Sequence, residues 1–304
     1  MKQRVAFLGL GAMGVPMARN VARGGFPLVV WNRTRANAMA FASGGISVAD
    51  SPREAAARAE VVMICVPSSP EVRDLLTRSD GILAGAAAGT IVVDCSTIDP
   101  NASIAHHAMC AERGVAMLEA PLSGGTIGAE AGTLTLMVGG EAAVLERARP
   151  VLATVGKNIF LLGPAGAGQV TKLCNNLIFA AQMIGVAEAY ALVVRAGLDP
   201  AKVTAAFEVS TADCTAVRGR VPVAGLQPGA PPSNEWRPGF ATEWMAKDLD
   251  LVAQYAKTVG VPALQASLDH QLMRLAMAQG YAKLDLSIVG KMLQDWTAKD
   301  STAS

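Results

Sequence analysis

The sequence has no surplus of either charge. Its 26 basic and 25 acidic residues leave a net charge of +1, and only 17% of the chain is charged. Nothing in that balance calls for nucleic acid or an anionic membrane as a partner. Histidine is scarce, and His106, His107 and His270 fall outside any recognisable motif; each reads as a surface or packing residue. The five cysteines, Cys65, Cys95, Cys110, Cys174 and Cys214, form no C-x-x-C pair. That excludes zinc-finger spacing and suits reduced, buried thiols that pack as small hydrophobes. His107 and Cys110 are three residues apart on a predicted helix, but two ligands do not make a metal site, so no metal is expected. Cys174 stands two residues from Lys172, where a thiol can become sensitive to oxidation. Long apolar runs are missing too. Met1–Leu8 lacks the apolar core and cleavage site of a signal peptide. The stretch Leu177–Ala187 is interrupted by Gln182 and closed by Glu188, short of the roughly 20 residues of a membrane span. These absences predict a soluble cytoplasmic protein.

What is present is apolar: 51% hydrophobic residues in 304, enough for a sizeable core and a length that suits two domains. Val- and Ile-rich runs at Arg4–Leu8, Leu28–Trp31, Val61–Val66, Thr90–Asp94 and Val115–Glu119 show little polar alternation, as strands buried on both faces do. Helical patterns lie between them at Met13–Arg23, Arg35–Ala42, Pro70–Thr77 and Asn101–Arg113. Thr133–Val138 and Asn158–Leu162 add edge strands. Successive strand–helix units predict a Rossmann-type, doubly wound α/β domain with a mainly parallel sheet over residues 1–163. No strand signal follows Leu162. A long helix without proline runs from Gly166 to about Arg195 and ends at Gly197, with further helices at Pro200–Val209, Thr242–Thr258, Leu264–Gln279 and Leu286–Trp296 and a frayed tail beyond. Residues 164–304 therefore read as an all-α second domain entered through a long interdomain helix. The Pro- and Gly-rich loop from Val221 to Gly239 is long enough to suggest a functional or mobile role.

Gly9-Leu10-Gly11-Ala12-Met13-Gly14 follows the first strand and opens the first helix. In that context G-x-G-x-x-G marks a dinucleotide site. The glycines allow a tight turn, close approach of a pyrophosphate, and close packing of helix on strand, while the helix N-terminus faces the phosphates. Past the second strand stands Asn32-Arg33-Thr34, without the carboxylate that usually holds the ribose of NAD. Arg33 can stack on adenine and pair with a 2′-phosphate, with Thr34 donating a hydrogen bond, so NADP is expected over NAD. A solvated arginine at a helix start is the alternative.

A dehydrogenase without metal needs a proton acceptor beside the hydride donor. Lys172 lies about two turns into the long helix, with Asn176 four residues on and so on the same face. Desolvation there is expected to lower the lysine pKa toward neutrality. The residues alone leave two readings open, a catalytic lysine or a lysine at the rim of a helix. Two further polar segments end strands: Asp94-Cys-Ser-Thr97 and Glu119-Ala-Pro-Leu-Ser123-Gly124-Gly125. A hydroxyl followed by two glycines suits a carboxylate ligand, though a tight turn would look the same.

Together with Met-Ala-Lys247-Asp248-Leu at 245–249, these motifs make nearly the whole chain, Arg4 to about Leu293, resemble the β-hydroxyacid dehydrogenase family. The resemblance implies Lys172 as general acid/base with Asn176 aiding its placement. It implies Ser123, Gly124 and Gly125 as the substrate-carboxylate site, with Thr97 near both nicotinamide and substrate. Val66 and Pro67 would line the cofactor, Lys247 would reach it, and Asp248 and Phe240 would border the site. The family also implies a homo-oligomer, a dimer or tetramer. The activity it implies is hydride transfer between NAD(P) and the hydroxyl carbon of a short, 3-hydroxyisobutyrate-like 3-hydroxy acid. Alternatives are a serine or threonine dehydrogenase, or an NADPH-dependent glyoxylate or succinic semialdehyde reductase. Asn32-Arg33-Thr34 is more like those reductases, whereas the segment from Pro231 to Phe240 looks like the hydroxyisobutyrate branch. Imine reductases generally lack the lysine, and phosphogluconate enzymes carry a longer helical domain. A cofactor sensor without turnover would have no need of Lys172, Asn176 and Ser123 together.

Overall fold

A computed structural model of the protein describes residues 2–42, 44 and 46–299. The chain divides after Lys172 into two compact units. The first begins β1 (Val5–Leu8), α1 (Gly14–Arg23), β2 (Leu28–Trp31), α2 (Arg35–Ala42), β3 (Ser47–Val48), α3 (Pro52–Ala57) and β4 (Val61–Ile64). It continues through α4 (Ser69–Thr77), α5 (Ile82–Gly85), β5 (Ile91–Asp94), α6 (Pro100–Ala111), β6 (Ala116–Glu119) and β7 (Leu122–Ser123). It closes with α7 (Gly125–Ala131), β8 (Leu134–Gly140), α8 (Ala142–Leu152), β9 (Gly156–Gly163) and the start of α9 (Ala167–Arg195).

The sheet runs β3-β2-β1-β4-β5-β6-β8-β7, with β9 on β8. The strands from β3 to β6 are parallel, and β8 turns the edge antiparallel to β6 and β7. This is the doubly wound, mainly parallel sheet that the uninterrupted apolar strands require. Side chains alternate between two cores: Val5, Phe7, Met63 and Val93 on one face, and Ala6, Leu8, Val62, Ile64 and Val92 on the other. Strand order reverses between β1 and β4, and ligands of such sheets bind at that switch, outside the carboxyl ends.

Several elements were not anticipated. β3 and β7 have two residues each, too short for any periodicity to register. α7 carries Gly125 and Gly128, poor helix formers, and α8 contains Pro150. α3 did carry a signal: the Ser51 hydroxyl accepts the Glu54 amide and Pro52 fills the first turn. α6 begins one residue early because Asp99 caps it and Pro100 opens it.

The second unit contains the rest of α9, then α10 (Pro200–Phe207), α11 (Thr215–Gly219), a 3₁₀ turn (Pro231–Ser233), α12 (Thr242–Val259), α13 (Leu264–Ala276) and α14 (Ile288–Lys299). α13 passes into a π turn, Met277–Tyr281, broken by the positive φ of Gly280. α14 continues past Trp296, and the tail beyond Lys299 lies outside the described residues. The core of this unit is built on Leu173, Ala180, Met183, Ile184, Ala187 and Tyr190 of α9. That burial accounts for part of the apolar character of α9, while Ile178, Leu192 and Val194 on the same helix are exposed. As a whole it is long and apolar enough to cross a membrane by length and composition, which corrects the expectation drawn from its central stretch alone. The thiols also differ from expectation: Cys95 and Cys110 are buried, Cys65 and Cys214 half-buried, and Cys174 exposed. Burial pushes the Cys110 thiol up to about 12, leaving it protonated.

Candidate active site

The pairing register levels Leu8, Ile64, Asp94 and Glu119, so β1, β4, β5 and β6 end on one line. The segments expected to carry chemistry leave the sheet from that edge: Gly9–Gly14, Val66-Pro67, Ser96-Thr97 and Pro121–Gly125.

The glycine loop is built by contact. Gly9 has φ +99°, and a Cβ there would stand 2.2 Å from the Cys65 carbonyl oxygen. A Cβ on Gly14 would stand 1.9 Å from the Gly9 carbonyl oxygen. A Cβ on Gly11 would meet nothing within 4 Å, which leaves room for a pyrophosphate to approach the backbone. Met13 at the N-cap of α1 offers no side-chain cap, and the first turn has no acidic residue. Its amides are therefore suited to a phosphate. Leu10 and Ala12 complete the loop. From the end of β2, Asn32 Oδ1 accepts the Leu10 amide at 2.8 Å, and its Nδ2 donates to the Thr34 carbonyl at 3.0 Å. Asn32 thus braces the loop, while Arg33 and Thr34 are exposed. Arg33 has no ion-pair partner among the described residues, whereas the neighbouring Arg35 is held by Asp50 at 2.5 Å.

Ser96 joins three segments. Its amide donates to Asp94 Oδ1 at 2.9 Å, its hydroxyl accepts the Val66 amide at 2.9 Å, and its carbonyl accepts Gln169 Nε2 at 2.9 Å. Gln169 Oε1 in turn accepts the Ile98 amide at 3.0 Å, so one buried side chain brackets Thr97 from both neighbours. Glu119, also buried, accepts the Gly166 amide at 2.6 Å and the Gly168 amide at 3.2 Å, pinning the start of α9. His107 Nε2 lies 2.6 Å from its other oxygen. The approach is close enough that a Cβ on Gly168 would stand 2.3 Å from the Met137 carbonyl oxygen. Lys172 follows on α9, only 8% exposed. Burial pushes the Asp94 carboxyl up to about 7, with Glu119 nearby adding to the rise and Ser96 opposing it. Burial, with Arg73 and His107, holds the buried His106 down to about 4. Ser123 is half-buried at the end of β7, and Gly124 and Gly125, with φ of +130° and +61°, turn the chain into α7.

Within the second unit, Asn176 Nδ2 donates to Asp248 Oδ2 at 2.5 Å, and Lys247 Nζ stands 2.9 Å from Asp248 Oδ1. Asn176 and Asp248 are both buried. Phe240 is half-buried and its amide donates to Asp285 Oδ2 at 3.1 Å. Asp285 also receives the Gly239 amide and Arg220, and so ties both ends of the Pro-rich loop.

Two family models cover the chain. Residues 4–163 match the NAD binding domain of 6-phosphogluconate dehydrogenase, and residues 166–293 match NAD-binding of NADP-dependent 3-hydroxyisobutyrate dehydrogenase. The chain is 44% identical to NAD-dependent L-serine dehydrogenase of Pseudomonas aeruginosa over 96% of its own length and 98% of that protein. The chain belongs to the β-hydroxyacid dehydrogenase family. It is also 37% identical to mitochondrial 3-hydroxyisobutyrate dehydrogenase of Mus musculus, over 97% of the chain and 88% of that protein. The solved structure of Mycobacterium tuberculosis 3-hydroxyisobutyrate dehydrogenase with L-serine superposes with a TM-score of 0.91 at 37% identity, covering 97% of this chain and all of that one (100%).

This β-hydroxyacid dehydrogenase is therefore an NAD(P)-dependent enzyme acting on CH–OH groups. Sequence reading named the strand-end motifs but gave no role to Ser96, Glu119, Gln169, Arg220 or Asp285. One signal was available: Gly168 within a helix, which marks close backbone approach. His107, expected to be a surface or packing residue, packs on Glu119.

Proposed function

We propose that the enzyme oxidises a short 3-hydroxy acid, such as 3-hydroxyisobutyrate, to its semialdehyde, with NADP preferred over NAD. Residues 1–163 serve as the dinucleotide-binding domain and 164–304 as the helical domain. The observation that carries the reading is the burial of Lys172 on a helix pinned to the strand ends that bear Thr97 and Glu119. Gly9–Gly14 would cradle the pyrophosphate, Val66 and Pro67 would line the cofactor, and Thr97 would stand near the nicotinamide and the substrate. The family resemblance also assigns Lys247 and Asp248 to coenzyme binding. A nicotinamide coenzyme held there would supply the hydride acceptor for the carbinol carbon. Lys172 in its neutral form takes the hydroxyl proton, and Asn176, one turn further along α9, helps orient its amine. Ser123 with the Gly124–Gly125 amides grips the carboxylate, and Phe240 borders the substrate. Arg33, exposed at the end of β2 and without an ion-pair partner among the described residues, supports NADP as coenzyme. The exposed Ile178, Leu192 and Val194 of α9 support a homo-oligomer, a dimer or tetramer, and we assign it to the cytoplasm.

Initial rates with each coenzyme against 3-hydroxyisobutyrate, 3-hydroxypropionate, serine and threonine test the reading. A kcat/KM with NAD equal to that with NADP defeats the coenzyme preference. Lys172→Ala should lower kcat by about 10²–10⁴-fold while coenzyme still binds; near-normal turnover defeats the mechanism. A second reading, L-serine as the preferred substrate, is favoured by the 44% identity to the L-serine enzyme. It stands if kcat/KM for L-serine exceeds that for 3-hydroxyisobutyrate.

A further inference from the structure

We infer that Gln169 is a positioning residue, a two-sided clamp that sets Thr97 against Lys172. The inference rests on the reading of Lys172 as acid/base. Gln169 has no exposed surface, and both ends of its amide are used on one turn of chain: Nε2 on the Ser96 carbonyl at 2.9 Å, Oε1 on the Ile98 amide at 3.0 Å. Thr97 lies between those two bonds. Lys172 is three residues beyond Gln169 on the same helix, hence on a neighbouring part of the same face. Glu119 holds the amides of Gly166 and Gly168 just before it. The start of α9 is therefore fixed against two strand ends, by an acceptor from β6 and by a donor–acceptor pair beyond β5. That fixes its rotation as well as its position, and with it the direction in which Lys172 leaves the helix.

Only a carboxamide fits this task. It needs one donor and one acceptor on a planar group, and asparagine is one methylene too short. A carboxylate in its place accepts the Ile98 amide but sets a second acceptor against the Ser96 carbonyl.

The test uses the full-length enzyme with Gln169→Leu and Gln169→Glu. In both, coenzyme Kd by NADPH fluorescence should change far less than kcat, because the glycine loop that holds the pyrophosphate does not depend on Gln169. Misplacement of the base should lower kcat by about 100-fold and raise the primary deuterium isotope effect on hydride transfer. Measured against wild type at the same pH, the Gln169→Glu variant should lose less rate as pH falls, since its protonated carboxyl regains a donor for Ser96. Unchanged kcat and isotope effect in a folded variant overturn the clamp, as does a loss of rate matched by an equal loss of coenzyme binding. If Gln169→Leu does not fold, Gln169→Glu, which keeps the volume and one bond, carries the test. If the wild-type chain turns over no hydroxy acid, the acid/base reading fails separately. The clamp is then read by pulsed acetylation of Lys172 followed by peptide mass spectrometry. Faster labelling of Lys172 than in wild type, with other lysines unchanged, supports it, and equal labelling overturns it.

Discussion

Gly11 and Gly14 stand three residues apart and answer to different demands. An added methyl at Gly14 collides with the Gly9 backbone, whereas one at Gly11 points into open space. Gly14→Ala should therefore destabilise the protein by about 1–3 kcal/mol. Gly11→Ala should leave the melting temperature of the coenzyme-free protein unchanged and weaken coenzyme binding by roughly tenfold, about 1.4 kcal/mol. Calorimetry with and without NADPH separates the two, and a Gly11→Ala protein that binds normally would remove the pyrophosphate from this loop. This contiguous motif could be read from sequence because its meaning is local. Gln169 could not, because its partners lie 71 and 73 residues away, and neither could Glu119, whose partners lie 47 and 49 residues on. A buried polar side chain has no signature of its own until its partners are known.

Among elements, the parallel strands were legible because burial on both faces leaves a plain apolar run. The short β3 and β7 and the glycine-bearing α7 were not, since tertiary contacts rather than propensity hold them. The loop that opens the second unit's Pro-rich stretch was legible only as a loop. Its organising residue, Asp285, precedes α14, yet takes the amides of Gly239, Phe240 and Ser287 as well as Arg220. Arg220 also lies over the Phe179 ring of α9, with 5.4 Å between guanidinium carbon and ring centroid. Asp285→Asn removes a fully buried charge and strands the arginine, which should cost about 3–5 kcal/mol and open residues 221–239 to protease. Unaltered stability and cleavage would show that the loop is held by its own prolines and turns.

For the whole molecule, light scattering after gel filtration should give a mass of at least twice 31.3 kDa. Leu192→Glu should shift the protein toward monomer, and a monomeric wild type would defeat the assignment of the exposed α9 face. A subtler property of the whole comes from two buried groups of opposite kind, Asp94 and His106. The native Asp94 keeps its proton up to about pH 7, against 3.8 for an ordinary carboxyl, so its contribution to stability is complete at low pH and lost as pH rises across that window. His106 stays neutral down to about 4 rather than 6.5, so its contribution is present at higher pH and lost as pH falls. At about pH 5.5 unfolding releases a proton from one and binds a proton at the other, and the pair exchanges almost nothing with the solvent. In calorimetry the unfolding heat of the wild type should accordingly vary less with the buffer's own heat of ionisation than that of either variant. Asp94→Asn should shift the balance toward proton uptake and His106→Gln toward release; shifts of the same sign would contradict it. At roughly pH 5.5 the proton released by Asp94 and the proton taken up by His106 thus offset each other, so two strongly perturbed groups together leave little trace there.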